Sequence, residues 1–409
     1  MPRHDGVMRA ILLLPFLCTA FAPDAAHAQP APEIVAHGKA LTEAGGCASC
    51  HTADPAKPFA GGKRIDTPFG AIYSPNLTPD KNTGIGLWSD DDFRHALRDG
   101  VTPYGSRYYP AFPYPYFTRL TRQDIQAIRA YLTTLDPVSN TPPPPQLRWP
   151  LNYRFLMRGW NWLFFKPGIL EPDQAKGADW NRGRYLVEGA GHCGACHTPK
   201  NLFGADRHGR AFGGGLVGDQ FAPRLDEAER SGLKSWSVAD IVEYLQSGRN
   251  AHSHAGGLMA DVIVNSTSLM SDGDVHAIAI YLKDLPAGAP EPDNVVPPSP
   301  AQMSDGEKVY KGACIACHEA DGSGSPRVYP PLPGNANLQS AIAANTLNII
   351  LKGAQTLTTP RAPNAGSMPA YADRLSDQEI ADVATYIRNA WGNQASAVTA
   401  EQVTKARAP

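Results

Sequence analysis

The sequence carries little charge and neither sign in excess. Of its 409 residues, 37 are Lys or Arg and 39 are Asp or Glu, for a net charge of −2. So balanced a chain lacks the basic patch of a nucleic-acid binder, and no nucleic-acid partner is expected. Beyond the amino terminus no apolar run approaches the ~20 residues that cross a bilayer, so no transmembrane helix is expected. No phosphate loop, Ser-His-Asp grouping or carboxylate pair at catalytic spacing stands out, so the chain alone should oxidise no organic substrate. Global disorder is excluded, because 42% of residues are apolar. Glycine and proline, 38 each, point to a loop-rich molecule. The length predicts about two to four domains.

Cysteine and methionine are scarce, seven of each, and their positions carry the argument. Residues 1–28 read as a secretory signal. Arg3 and Arg9 form a positive start, Ala10 to Ala22 an apolar stretch too short to span a membrane, and Ala26-His27-Ala28 a cleavage site. Cys18 should leave with this segment. Leu17, not a small residue, precedes it, which argues against a lipid anchor. The mature chain would then hold six cysteines in an oxidising compartment, where disulfides are the default.

Their spacing argues for other chemistry. The six fall in three copies of one pattern: Cys47-Ala48-Ser49-Cys50-His51, Cys193-Gly194-Ala195-Cys196-His197 and Cys314-Ile315-Ala316-Cys317-His318. C-x-x-C-H is the attachment pattern of c-type haem. Two thiols one helical turn apart can add to two vinyl groups on one porphyrin edge. The next residue, His, then offers its imidazole to iron. Zinc would need four ligands, and no second Cys pair accompanies each motif. A redox pair would not require a following His three times. Three covalently bound haem c groups, with iron held by His51, His197 and His318, are therefore expected.

The repeat extends beyond the motif. A Gly-led amphipathic segment precedes each one, at Gly38, Gly183 and Gly306. A helix with an apolar stripe ends each repeat, capped by Thr121, Ser271 and Ser376 and carrying Tyr131, Tyr281 and Tyr386 at one common position. The Gly should let the first helix cross close to this aromatic. Trp88-Ser89 and Trp236-Ser237 open a middle helix in the first two repeats. Proline-rich spacers at Asp136–Pro150 and Pro286–Pro300 set the boundaries.

On these residues the chain resembles the class I cytochrome c fold, tripled. As a whole, over about residues 33 to 391, it is similar to the triheme cytochrome c subunits of periplasmic, membrane-associated dehydrogenases. Those act with alcohol, gluconate, sorbitol and fructose dehydrogenases and some molybdenum hydroxylases. Ser74-Pro75-Asn76-Leu77, Tyr109-Pro110-Ala111-Phe112-Pro113-Tyr114, Gly191-His192-Cys193 and Asn265-Ser266-Thr267-Ser268 carry the likeness. It implies an all-α chain of three tandem cytochrome c domains joined by Pro-rich linkers. The divisions are a signal at 1–28, domains at 33–140, 178–286 and 301–392, linkers at 141–177 and 287–300, and a polar tail at 393–409. It also implies electron transfer from a flavin, quinoprotein or molybdenum catalytic subunit to ubiquinone or a terminal oxidase. The site of action would be the periplasm, at the outer face of the cytoplasmic membrane, with peripheral membrane contact.

The sixth ligand of such a haem is usually Met, from the loop before the last helix. Met368 holds that place in the third repeat. In the second, Met259 is favoured over Met270, which abuts the helix cap. In the first repeat Phe112 stands where related subunits carry Met, and no Met lies between His51 and Asn140. His95, Met157 or an open position remain for that haem. An open first haem would permit an alternative role, a haem enzyme binding peroxide or nitrite. Trp88, Trp236, Arg64 and Arg210 are candidate propionate partners, and His192 could join them. The aromatic segment Leu151–Pro167 could be an interfacial helix, a docking element or a strap on the first domain.

Overall fold

A computed structural model describes residues 1–2, 30–288, 295–364 and 366–408. The signal reading at 1–28, with Cys18, lies outside them except for its first two residues. The chain begins with α1 (Pro32–Ala44) and α2 (Cys47–His51), then α3 (Asp90–Asp99), α4 (Tyr114–Phe117), α5 (Arg122–Leu132) and α6 (Leu156–Phe164). It continues through α7 (Ala178–Tyr185), α8 (Gly194–His197), α9 (Val238–Ser247), α10 (Gly257–Asn265) and α11 (Asp272–Lys283). The last part holds α12 (Pro300–Ala313), α13 (Ile315–His318), α14 (Ala344–Lys352), α15 (Asp377–Ile387) and α16 (Ala400–Arg407).

One arrangement recurs three times: α1 crosses α5, α7 crosses α11 and α12 crosses α15. The reason is a missing side chain. A Cβ on Gly38 would stand 1.8 Å from the Ala127 carbonyl oxygen, one on Gly183 1.9 Å from that of Ala277, and one on Gly306 2.2 Å from that of Asp382. Backbone meets backbone at each crossing, so only Gly fits. The expected neighbour, the shared Tyr, is next: its Cβ lies 2.8 Å away at Tyr281 and 2.7 Å at Tyr386. The carbonyl one helical turn before the Tyr is the closer contact. The caps form as the sequence predicts. Thr121, Ser271 and Ser376 accept from the backbone N–H three residues on, and Ser89 and Ser237 do the same for α3 and α9.

The all-α expectation needs amending, because the loops between helices form short antiparallel pairs. β1 (Arg64–Thr67) pairs with β2 (Gly70–Tyr73), and β3 (Gln146–Leu147) adds to β2. β4 (Gly215–Val217) pairs with β5 (Gln220–Ala222), and β6 (Ala354–Gln355) with β7 (Ser367–Met368). These residues sit in tight reversals with no helical stripe to bury, so neighbouring extended segments satisfy each other's backbone groups. β3 belongs to the first linker, which is therefore docked rather than a free spacer.

Apolar side chains gather into two cores. The larger runs from Leu41 to Leu282 and unites the first two repeats. The smaller holds Tyr310, Leu347, Ile380 and Val403. Val403 lies on α16 and is fully buried, so the segment read as a polar tail folds back as a helix, and Arg407 donates to Asp377 at 2.8 Å. The linker helix α6 buries Met157 and Asn161 but leaves Trp162, Leu163 and the preceding Phe155 to solvent. The strap reading therefore describes its inner face. Among the described residues no helix is long and apolar enough to cross a membrane.

Two glycines of α12 should respond with opposite signs. Gly306→Ala forces two backbones apart and should cost about 1–3 kcal/mol. Gly312→Ala meets nothing within 4 Å and should be neutral or stabilising by up to about 1 kcal/mol. Denaturant unfolding of both variants measures the contrast.

Candidate functional site

Each Cys-x-x-Cys-His segment forms a single helical turn at the end of the crossing helix. The six cysteines form no disulfide with one another. Burial pushes the thiols of Cys47 and Cys193 up to about 12 and that of Cys314 up to about 11. Among the described residues no group of three or more His, Cys, Asp or Glu side chains is placed to hold a metal ion.

The three histidines share one environment. His51 Nδ1 lies 2.8 Å from the Pro75 carbonyl, His197 Nδ1 2.6 Å from that of Pro223, and His318 Nδ1 3.2 Å from that of Pro330. A carbonyl can only accept, so Nδ1 carries the proton and Nε2 keeps its lone pair. Burial lowers all three imidazole pKa values, that of His51 to about 4, which keeps the rings neutral. The backbone carbonyl of each His is held too. It accepts from the N–H of Gly61 (2.7 Å), Gly214 (2.9 Å) or Gly324 (3.2 Å). All three glycines have positive φ, at 74°, 80° and 61°. Two residues earlier, Phe59, Phe212 and Gly322 are also left-handed, and their carbonyls accept from Leu77, Leu225 and Leu332. Each imidazole is thus gripped at ring and backbone by one returning loop.

Sequence reasoning missed these loops. A signal was present: Pro75-Asn76-Leu77, Pro223-Arg224-Leu225 and Pro330-Pro331-Leu332 repeat one Pro-x-Leu pattern. Its distance from the His varies from 12 to 26 residues, which hides it from a fixed-period search.

One cavity of about 2620 Å³ joins the first two motifs. It far exceeds the roughly 300–1,000 Å³ of a single small-molecule pocket. Cys47, Cys50, His51, Cys193, Cys196 and His197 line it, and so does Met259 on α10. Trp88, Trp236, Arg64 and Arg210 line it as well, although Arg64 spends donors on Asp66 at 2.7 Å and Tyr73 at 3.3 Å. Met270 is absent from the wall and packs on the larger core. Met368 sits on β7 against the smaller core, which also takes in Cys314. His95 points outward: its Nδ1 is 2.7 Å from Asp99 and its Nε2 3.0 Å from Arg94. His192 is not a surface residue. Its Nε2 lies 3.2 Å from the Gly45 carbonyl and its ring packs edge-on to Phe117.

The first two motifs lie back to back. A Cβ on Gly45 would stand 3.4 Å from the Ala190 carbonyl, and one on Gly191 3.6 Å from that of Ala44. Ser266 Oγ donates to the Ala44 carbonyl at 3.1 Å. The third repeat joins the second through polar contacts. Asn345 exchanges hydrogen bonds with the Phe221 backbone at 2.7 and 2.9 Å, and Arg249 donates to the Asn364 carbonyl at 2.8 Å.

Oriented neutral imidazoles, thiol pairs one turn apart and a large, mostly apolar cavity with basic side chains on its wall fit a covalently held porphyrin, and they define a c-type cytochrome. The cytochrome c family model matches residues 35–136 and 303–391. The chain belongs to the cytochrome c family, among the cytochrome c subunits of bacterial dehydrogenases, and this membership implies covalent haem c. It is 40% identical over 418 residues to the cytochrome c subunit of a quinone-type alcohol dehydrogenase of Gluconacetobacter polyoxogenes, covering 97% of this chain and 88% of that one. It is 38% identical over 427 residues to the gluconate 2-dehydrogenase cytochrome c subunit of Pantoea cypripedii, covering 98% and 95%. It is 41% identical over 369 residues to one of the subunits of the nicotinate dehydrogenase of Pseudomonas putida, 87% of this chain but only 30% of that protein's length.

The loop grip makes a local prediction. A Cβ on Gly61 would stand 2.5 Å from the Pro75 carbonyl, the acceptor for His51. Gly61→Ala should therefore destabilise the protein by about 1–3 kcal/mol, measured as a shift in denaturant midpoint. Gly105→Ala, also at positive φ but with nothing within 4 Å, should cost clearly less.

Proposed function

We propose that this chain is an electron-transfer subunit of three cytochrome c domains, residues 33–140, 178–286 and 301–392, each with one covalently bound haem c. Cys47 and Cys50, Cys193 and Cys196, and Cys314 and Cys317 form the thioether links. His51, His197 and His318 are the proximal ligands, with Met259 and Met368 opposite the second and third. The threefold repeat of one grip, an Nδ1–H held on a proline carbonyl with Nε2 left free, carries this reading. Such partners fix the ring's tautomer and orientation and raise its basicity as a ligand. Haem iron supplies one-electron chemistry when bound. The protein orients the ligands and holds the first two motifs close together, as a hand-over of electrons between them requires.

The donor is a flavin, quinoprotein or molybdenum dehydrogenase subunit, and the acceptor is ubiquinone or a terminal oxidase. The named relatives support a dehydrogenase partner, since they are cytochrome subunits of alcohol and gluconate dehydrogenases. The signal at residues 1–28 would deliver the chain to the periplasm, where it works at the outer face of the cytoplasmic membrane.

Alkaline pyridine haemochrome analysis of the purified protein should give three covalent haems per chain, and two in the double variant Cys193→Ser/Cys196→Ser. Tagged protein recovered from membranes should bring a dehydrogenase subunit whose substrate reduces all three haems. A chain with fewer haems, or one purified alone that no dehydrogenase reduces, would overturn the proposal.

A further inference from the structure

The first repeat has no Met in its distal loop, and the structure settles two of the groups that might replace it. Phe112 packs within an aromatic cluster, with ring centres 5.3 Å from Tyr108 and 5.7 Å from Phe117, and offers no ligating atom. His95 has both ring nitrogens engaged at the surface, by Asp99 and Arg94.

Met157 is placed differently. It is 8% exposed, yet it belongs to neither apolar core. It lines the cavity that His51 also lines, and Met157 and Met259 are the two methionines of that wall. Met259 belongs to the second repeat. Helix α6, which carries Met157, and the segment leading into it are clamped over the first repeat's distal loop. Arg154 donates to the Arg107 carbonyl at 3.0 Å and lies over the Tyr109 ring, 4.9 Å from its centre. Tyr109 donates to the Asn152 carbonyl at 3.1 Å. Asn161, one turn beyond Met157 on the same face, shares a 2.6 Å hydrogen bond with the Tyr114 hydroxyl. These contacts hold the inner face of α6 against the loop in which Met would ordinarily stand.

We propose that Met157, from the linker helix, supplies the sixth ligand of the haem attached at Cys47 and Cys50. This rests on the haem reading above and extends it. The linker then completes the first site, and a thioether meets each of the three irons. The first haem should therefore share the high potential that thioether ligation gives the others.

The test uses the full-length holoprotein. Haemochrome analysis first counts covalent haems; fewer than three is a failure of the haem reading itself. With three present, the ferric protein should show the far-red sulfur-to-iron charge-transfer band at an intensity equal to three thioether-ligated haems, and the ferrous protein should not bind carbon monoxide. Met157→Ala should lose about one third of that band, open one haem of three to carbon monoxide and lower one midpoint potential. Phe112→Met on that background should restore the band by returning Met to the loop. If Met157→Ala does not accumulate, Met157→His serves in its place and should give one haem a bis-histidine electron paramagnetic resonance signature. A wild-type band worth only two haems, or Met157 variants whose band, carbon monoxide binding and potentials match wild type, would overturn the assignment.

Discussion

The molecule depends on a hydrogen bond from an imidazole N–H to a proline carbonyl, made three times. An imidazole can bind iron from either nitrogen, and its ring can spin about χ1 and χ2. Holding Nδ1–H on a fixed acceptor selects the tautomer, aims Nε2 and removes that freedom before any ligand arrives. Proline suits the acceptor position because its ring restricts the backbone that presents the carbonyl. The loop must then double back sharply enough to grip the same histidine's backbone, which forces the left-handed residues at Gly61, Gly214 and Gly324. A residue such as Phe59 accepts a strained conformation in the same turn, at a cost of order 1–3 kcal/mol that the surrounding packing offsets.

The crossing helices provide the platform for this grip. Where Gly38, Gly183 and Gly306 let two backbones touch, the helix end carrying the cysteines is fixed relative to the last helix of the repeat. The arrangement of repeats is unequal. The first two share one apolar core and press their motif turns together at Gly45 and Gly191. The third keeps its own core and meets the second through side-chain hydrogen bonds and ion pairs. Covering apolar surface makes the first pair a single body, whereas polar contacts of the second kind contribute less each and weaken with salt. A chain built this way has a rigid front half and a more separable end.

Much of this was legible in the residues. C-x-x-C-H states its chemistry locally, because the two thiols and the imidazole must lie within about one helical turn. The helix caps are equally local and formed as read, and the crossing glycines, whose contacts are long-range, were legible because one Gly recurs in each repeat. The proline carbonyls were not legible in this way, since a loop of variable length brings them back to the histidine. Of the short strands, β1–β2 and β4–β5 are tight hairpins, whereas β3 of the linker joins β2 from a distant loop that no single segment announces. The carboxy-terminal segment looked like a polar tail because helix α16 buries one residue, Val403, which gives too weak a stripe to predict a docked helix.

The sequence by itself determined the three Cys-x-x-Cys-His segments and the helices around them, because each motif depends on residues a few positions apart. The tertiary structure alone decided what faces those histidines. It turned His95 to solvent, packed Phe112 among aromatics, set a half-buried His192 between two repeats and brought Met157 from a linker to the cavity wall. A side chain's direction follows from the elements that pack around it, and those elements come from parts of the chain that sequence spacing does not connect.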